Sequence, residues 1–440
     1  MRGRIDEQPA LFHTFHVEDR IRADHPLRDV KRRTDRISAS LSGEFAKCYS
    51  ATGRPSVPPE RLLKAQLLLS LYSIRSERQL CERIDTDLLF RWFLDLQPSE
   101  EAFDHAVFSH NRQRLDDGDL TRAFFDAVVA EAFTAGLCSE HFSVDGTLIE
   151  SFASAKSFQP IPEKSPPTPP EKSPSDSRLS PTDKGLSPAS PPDGNGFKPS
   201  NPDVDFHGQK RTNETHQSRT DPEAKLYRKG MGKEAKLSHM GHALNENRNG
   251  LIVGIHATEA SGTAERTAAL EMVDALKSKH GKTPKTVGTD KGYDSGEFLL
   301  ELEKRSIEPH VPLVKAPRDP SGVKDPKQKA GVEARRRMKE RAGGYGYRLS
   351  QKCRKKIEEV FGWLKGVAGA GRSRTVGRWK LQQALELAAG ASFRSRTRLY
   401  AAAASSNACC SFHRPTVRLR PAPATPFSQP NTSSIFLRHF

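Results

Sequence analysis

Residues 354–365, RKKIEEVFGWLK, set one carboxylate between two cations beside an apolar stripe. At about 100° per residue, Ile357, Val360, Phe361 and Leu364 share one helix face in the i, i+3, i+4, i+7 pattern of one-sided burial. Arg354, Glu358 and Lys365 project within a narrow arc flanking that face, and Glu359 points roughly opposite, towards water. A carboxylate at the rim of a core, with cations above and below, suits a metal ion that must meet a phosphate. The same spacing also describes a surface salt-bridge stripe, and this helix alone does not separate the two.

Two acids upstream separate them. HFSVDGTLIES places Asp145 in an extended run rich in Phe, Val, Leu and Ile, and KTVGTDKGYDS ends a second such run at Asp290. Acids are poor strand formers, so an Asp in or ending a buried run needs a partner that offsets its desolvation, and a divalent cation is a strong one. Starting a turn is the plain alternative for either Asp taken alone. With Glu358, however, three acids fall in the order strand, strand, helix. Asp294 is a rival ligand, but its place after Gly292 and Tyr293 suits a helix N-cap better.

The elements that must position these acids follow a readable order. After the Asp145 strand, KLSHMGHAL and LIVGIHATEA form a hairpin about the turn NENRNG, where Asn249-Gly250 is a strong turn signal. TAERTAALEMVDALKSKH is a helix with Ala269, Met272, Val273 and Leu276 as its stripe and Thr263 as a loose cap. The Asp290 strand, a short helix from Ser295, a strand in IEPHVPLV and the Glu358 helix complete the set. The expected fold class is α/β, a mixed sheet covered by helices.

That order, with its three acids, resembles the RNase H-like core of DDE transposases from bacterial insertion sequences, most closely the insertion-sequence family five group. The resemblance covers roughly residues 1 to 390. It is carried by FHTFHVEDRIRADHPLR, by GRPSVPPERLLKAQLLLSLYSIRSERQLCERIDTDLLFRWFLDL, by the first-acid strand, by NPDVDFHGQKRTNETHQSRTDPEAKLYRKGMGKEAKLSHMGHALNENRNGLIVG, by GTDKGYDS and by RKKIEEVFGWLK. It implies that Asp145, Asp290 and Glu358 take the places of the catalytic triad, and that Arg354 and Lys365 take those of the arginine and lysine accompanying the family's glutamate. The family signature often carries a tyrosine three residues before that arginine, where this chain has Gln351.

DNA strand transfer is an in-line phosphoryl displacement, so charge on the attacking and leaving oxygens must be stabilised. Two divalent ions roughly 3.5–4 Å apart do this, and hard cations call for carboxylate oxygens. Mg²⁺ or Mn²⁺, two ions, is therefore the expected cofactor, with Asp145 bridging and Asp290 and Glu358 holding one ion each. Arg354 and Lys365 would contact phosphates.

Lys and Arg number 70 against 54 acids, a net charge of +16 over 440 residues, which points to a polyanionic partner. Part of the excess lies in KAPRDPSGVKDPKQKAGVEARRRMKERAGGYGYR, read either as a run that tracks a phosphate backbone or as a solvated, partly disordered linker. Residues 1–120 read as an all-helical DNA-binding or dimerisation domain. There Pro58-Pro59 open one helix, Ser76 and Gln79 form a capping box, and Arg112 and Arg114 are candidate DNA contacts. An ordinary dimerising bundle fits that region nearly as well. The catalytic core spans 121–391. It is interrupted at 159–202 by a Pro/Ser-rich insertion that holds 13 of the 31 prolines and cannot bury a core. From 392 to 440 periodicity disappears and no acid occurs, as in a frameshifted, disordered tail.

Cys48, Cys81, Cys138, Cys353, Cys409 and Cys410 show no CxxC pairing, and His239, His242, His13 and His16 lack further ligands at suitable spacing. Nothing resembles a membrane span or a signal segment, so a cytoplasmic, nucleoid-associated protein is expected. The expected function is a transposase acting on terminal inverted repeats and target DNA, as a homodimer by analogy. The alternatives are a relic that only binds DNA and a stand-alone RNase H-like nuclease.

Overall fold

The computed structural model describes residues 16–50, 52–161, 211–228, 230 and 232–405, with side chains to Ser392. Helices come first: α1 (Val17–Arg20), α2 (Pro26–Ser40), α3 (Ser42–Cys48), α4 (Pro59–Leu71), α5 (Glu77–Thr86), α6 (Leu88–Phe93), α7 (Ala106–Asp117) and α8 (Leu120–Thr134). Pro59 opens α4, as its fixed φ and missing N–H suit a first turn. At α5 the Ser76 hydroxyl accepts the Gln79 N–H at 3.1 Å, while the Gln79 side chain reaches back to the N–H of Arg75, one residue before the cap. Leu62, Leu68, Leu80, Ile84, Phe90, Phe93 and Phe108 close a helical core. A second cluster, including Ile37, Phe45, Leu63, Phe124, Val128 and Leu387, ties these helices to the rest of the chain. Residues through Arg398 accordingly form one unit by their internal packing.

The sheet contains β1 (His141–Glu150), β4 (Lys225–Tyr227), β5 (Lys236–Glu246), β6 (Ile252–Glu259), β7 (Thr286–Gly288) and β8 (Glu308–His310). A separate pair, β2 (Phe158–Pro160) and β3 (His216–Ser218), runs antiparallel beside the end of β1. There Phe158 stacks on the His216 ring, with centroids 5.5 Å apart. β5 is antiparallel to β1, and β4 and β6 share its outer edge; β1, β7 and β8 are parallel. One antiparallel hairpin followed by parallel strands on the other side of β1 is the RNase H-like arrangement, so the mixed α/β fold matches the sequence expectation.

The remaining helices are α9 (Ala264–His280), α10 (Gly296–Lys304), α11 (Pro326–Arg341), α12 (Tyr345–Arg354), α13 (Lys356–Gly366) and α14 (Arg378–Ser405). The expected hairpin is β5–β6. Its turn is held by the buried Glu246, whose carboxylate accepts the N–H groups of Arg248 at 2.7 Å and Asn249 at 2.6 Å, while Gly250 takes a φ of +70°. The α9 stripe, Ala269, Met272, Val273 and Leu276, is buried against the sheet.

Three expectations change. Much of the basic run before the Glu358 helix is helical, as α11, and three of its arginines are engaged by acids. Arg337 and Arg341 pair with Glu303 at 2.6 and 3.0 Å, and Arg335 pairs with Asp294 at 2.7 Å. α10 and α11 meet backbone to backbone, since a Cβ on Gly296 would fall 2.7 Å from the Gly331 Cα. The helix expected over 354–365 is divided at Lys355, with Arg354 ending α12 and Glu358 in the first turn of α13. The final helix also passes residue 391 and runs to Ser405. The reading of a disordered tail beyond that point, and of the insertion from 162 onward, lies outside the described residues.

Candidate active site

β1 and β7 are in parallel register to the pair Ser143↔Gly288. Asp145 stands two residues further along β1, on the same face as Ser143, and Asp290 stands two residues past Gly288, beyond the end of β7, where its side chain caps the turn Lys291–Tyr293. α12 crosses that face. A Cβ on Gly288 would lie 2.9 Å from the Ser350 hydroxyl, so the helix needs that glycine to come so close. One helical turn past Ser350 is Arg354, whose guanidinium lies 3.9 Å from the Asp145 carboxylate. One turn further is Glu358, exposed at the start of α13 while Ile357, Val360 and Leu364 are buried. Lys365, in the last turn of α13, lines a small cavity with Thr147 and Ile149, further along β1.

The electrostatics tie these groups together. Burial, with the negative charges of Asp290 and Glu358 added, pushes the Asp145 carboxyl up to about 6, against the opposing pull of the Gly146 N–H and Arg354. Asp145 Oδ1 accepts the Gly146 N–H, and Asp290 Oδ1 accepts the Gly292 N–H, each at 2.8 Å. With both aspartates turned onto their own backbone, no three His, Cys, Asp or Glu side chains among the described residues enclose a position for a metal ion. The donor chemistry nonetheless fits a hard divalent cation: all ligands are oxygens, and Asp145 carries a surplus of negative charge around it that a cation would relieve.

The other sequence candidates lie elsewhere. Asp294 caps no helix: its carboxylate takes a bidentate grip from Arg335, at 2.7 and 2.8 Å, and accepts the Val314 N–H, while Ser295 precedes α10 without a side-chain cap bond. It therefore links the Asp290 turn to α11. On α7, Arg112 is paired with Glu77, and Arg114 rests over the Tyr49 ring at 5.5 Å. His239 shares a 2.9 Å contact with the buried Asp221, and His242 is held neutral by burial, its pKa lowered to about 3.

Sequence reasoning noted Gln351 only as a departure from the family signature, and it missed two further neighbours of the site, Glu265 and Tyr293. Gln351 donates from its side-chain amide to the His310 carbonyl at 2.6 Å and the Thr289 carbonyl at 3.4 Å, clamping the turn that presents Asp290. Glu265, in the first turn of α9, has its carboxyl pushed up to about 7 by burial and by the charges of Asp145 and Asp290. Tyr293, fully buried, has its hydroxyl raised well above its ordinary value by burial and by Glu265, Asp145 and Asp290. An acid in a first helical turn is so common a complement to the helix dipole that Glu265 carried no signal of its own. The contacts of Gln351 join segments about forty to sixty residues apart, which no local pattern reveals.

Among the described residues no helix is long and apolar enough to cross a membrane. No curated protein matches the chain. Two solved structures show partial likeness. One is the Mos1 transposase paired-end complex with left transposon end, at 12% identity over 73% of this chain and 82% of that one, with a TM-score of 0.18. The other is a pre-cleavage Mos1 transpososome, at 11% identity over 74% and 83%, also with a TM-score of 0.18. Overlap that low carries no argument, and the fold rests on the strand order above. Residues 15–114 match the family described as a transposase domain (DUF772), and residues 203–394 match the transposase DDE domain, which contains Asp290 and Glu358 but begins after Asp145. The chain thus carries a transposase domain followed by a transposase DDE domain, and together they support a DDE transposase.

Proposed function

We propose that this protein is the transposase of an insertion sequence of the family five group, cutting DNA at the element's terminal inverted repeats and joining the ends to target DNA. The observation that carries this reading is the placement of Asp145 on β1 and of Asp290 just past the end of the neighbouring parallel β7, beside the Arg354 and Glu358 turns, in a chain with a transposase DDE domain. Asp145, Asp290 and Glu358 would hold two Mg²⁺ or Mn²⁺ ions. Bound there, the ions supply charge stabilisation for the attacking and leaving oxygens of the in-line displacement.

The chain's own residues do the rest. Gln351 ties the Thr289 carbonyl, just before Asp290, to the His310 carbonyl at the end of β8, and so steadies the turn that carries Asp290. Arg354 restrains Asp145 and faces the same space, where its guanidinium donates to a phosphate oxygen of the transposon end. Lys365 lies two helical turns past Glu358 and adds positive charge along the path of the strand. Synapsis of two ends calls for two copies of the chain, working in the cytoplasm on nucleoid DNA.

A cleavage assay in Mg²⁺ on DNA bearing the flanking inverted repeats tests the reading. Cutting at the ends that disappears in Asp145→Ala, Asp290→Ala and Glu358→Ala, with DNA binding kept, is the expected result. Binding without cutting by the unaltered chain overturns it in favour of a relic that only binds DNA. Cutting with no preference for the ends favours a nuclease instead.

A further inference from the structure

Gly146 follows Asp145 directly on β1, and its side of the strand faces α9 and, by register, His242 of β5. A Cβ built on Gly146 would lie 2.9 Å from the Glu265 Cγ and 3.0 Å from its Oε1, so the glycine leaves open the space into which Glu265 extends. The other carboxylate oxygen points to the opposite rim. The position of a Cβ on Gly292 lies 3.7 Å from Glu265 Oε2 and 3.1 Å from Asp290 Oδ1. Glu265 therefore spans from the Asp145 strand to the Asp290 turn, and two glycines make its path. No cation lies within salt-bridge reach of it among the described residues, and Arg266, the neighbour that pulls its carboxyl the other way, is outweighed.

A second observation marks the same place. The Tyr293 hydroxyl is fully buried and has no hydrogen-bond partner, although it lies within the field of Glu265, Asp145 and Asp290. His242 Nδ1, also fully buried and without a partner, comes within 3.0 Å of the point over Gly146 that Glu265 Oε1 approaches. Buried polar groups are almost always satisfied, and two orphans beside crowded carboxylates describe a pocket built for something more than protein.

Resting on the active-site reading above, we infer that Glu265 supplies a fourth carboxylate to the cation-holding pocket of Asp145 and Asp290, with the Tyr293 hydroxyl directed at the oxygens that gather there. The ligand class is a hard divalent cation with its water shell. A positively charged occupant offsets three carboxylates that otherwise repel one another, and its water gives the buried hydroxyl an acceptor. The acid enters from the α9 side, opposite the face crossed by α12.

Mn²⁺ binding by the full chain, read from the loss of the free-ion electron paramagnetic resonance signal, tests this without any cleavage step. Glu265→Gln keeps shape and removes charge, and it should weaken Mn²⁺ binding by roughly tenfold or more. Gly146→Ala, which presses on the Glu265 Cγ without removing an acid, should also weaken it and keeps the test open should the first variant fold poorly. Thermal melts without metal should show Glu265→Gln at least as stable as the unaltered chain, because a crowded charge is gone. Mn²⁺ affinity lost in Asp145→Asn but unchanged in Glu265→Gln and Gly146→Ala overturns the role of Glu265 alone. Affinity unchanged in Asp145→Asn as well removes the active-site reading beneath it.

Discussion

Charge is handled in opposite ways in the helical region and at the head of the sheet. In the helices the buried cations Lys64 and Arg91 are both met by oxygen acceptors. Lys64 of α4 is nearly sealed from solvent, and burial alone would lower its pKa, yet the hydrogen bonds it donates to Asp35 and Asp95 outweigh that and raise it. Arg91 of α6 is buried and spends its guanidinium on the carbonyls of Ile84 at 3.2 Å and Gln97 at 2.6 Å. At the head of β1 the count does not balance. Asp145, Asp290, Glu358 and Glu265 converge electrostatically, and Arg354, at 3.9 Å, is the one cation within salt-bridge reach of Asp145 among the described residues. Balanced burial holds helices in register, whereas a surplus of one sign costs stability and persists where a ligand of the other sign relieves it.

Breaking the surplus should have the largest effect. Asp145→Asn or Asp290→Asn is expected to lower the single-turnover rate of end cleavage on the order of 10³-fold or more, with little change in the melting temperature. Arg354→Ala should cost roughly 10²-fold in the same assay, and Arg354→Lys should restore part of that only, because a point charge replaces a planar fork. The balanced side behaves inversely. Lys64→Ala leaves Asp35 and Asp95 with Lys31 as their remaining cation and should lower unfolding free energy by about 1 kcal/mol in urea titrations, a figure held down because Lys31 stays and both acids are partly exposed. Cleavage per folded molecule should not change.

The smallest effect sharpens the comparison through pH. An unfolded aspartate titrates near 3.9, and Asp145 in the fold near 6, so between those values the folded chain holds the extra proton. Its contribution to stability is thus greatest below about pH 4 and is lost as pH rises through about 6. Metal-free protein compared with Asp145→Asn should show this as a difference that grows from about pH 4 to about pH 6 and then levels, with the variant gaining relative stability towards the upper end. A flat difference across that range would remove the crowding on which the contrast rests.

Much of this was legible in the chain. Asp145 and Asp290 were conspicuous because acids are rare in apolar extended runs, and the β5–β6 hairpin because Asn249-Gly250 admits few other structures. What stayed hidden depended on partners far along the sequence. α11 reads as a solvated run until Glu303 and Asp294 are found beside its arginines. Asp294 looks like a cap until Arg335, from α11, takes its carboxylate. The stripe Ile357, Val360, Leu364 gave the correct buried face of α13, but nothing local announced the break at Lys355 that sets Arg354 and Glu358 on separate helices. Glu265 and Gln351 act across elements, and periodicity within one element is blind to them.

The clasp between β2 and β3 fixes the two ends of a long excursion. Phe158 faces Ser218 in register, the hydroxyls of Ser157 and Ser218 meet at 2.8 Å, and the Arg219 N–H donates to the Ser157 carbonyl at 2.9 Å. Because the entropy of closing a flexible insert grows only with the logarithm of its length, two anchors held this close can accept inserts of different lengths at little thermodynamic cost. Between them is the natural place to graft a fluorescent reporter or a targeting module, leaving Asp145, Asp290 and Glu358 untouched.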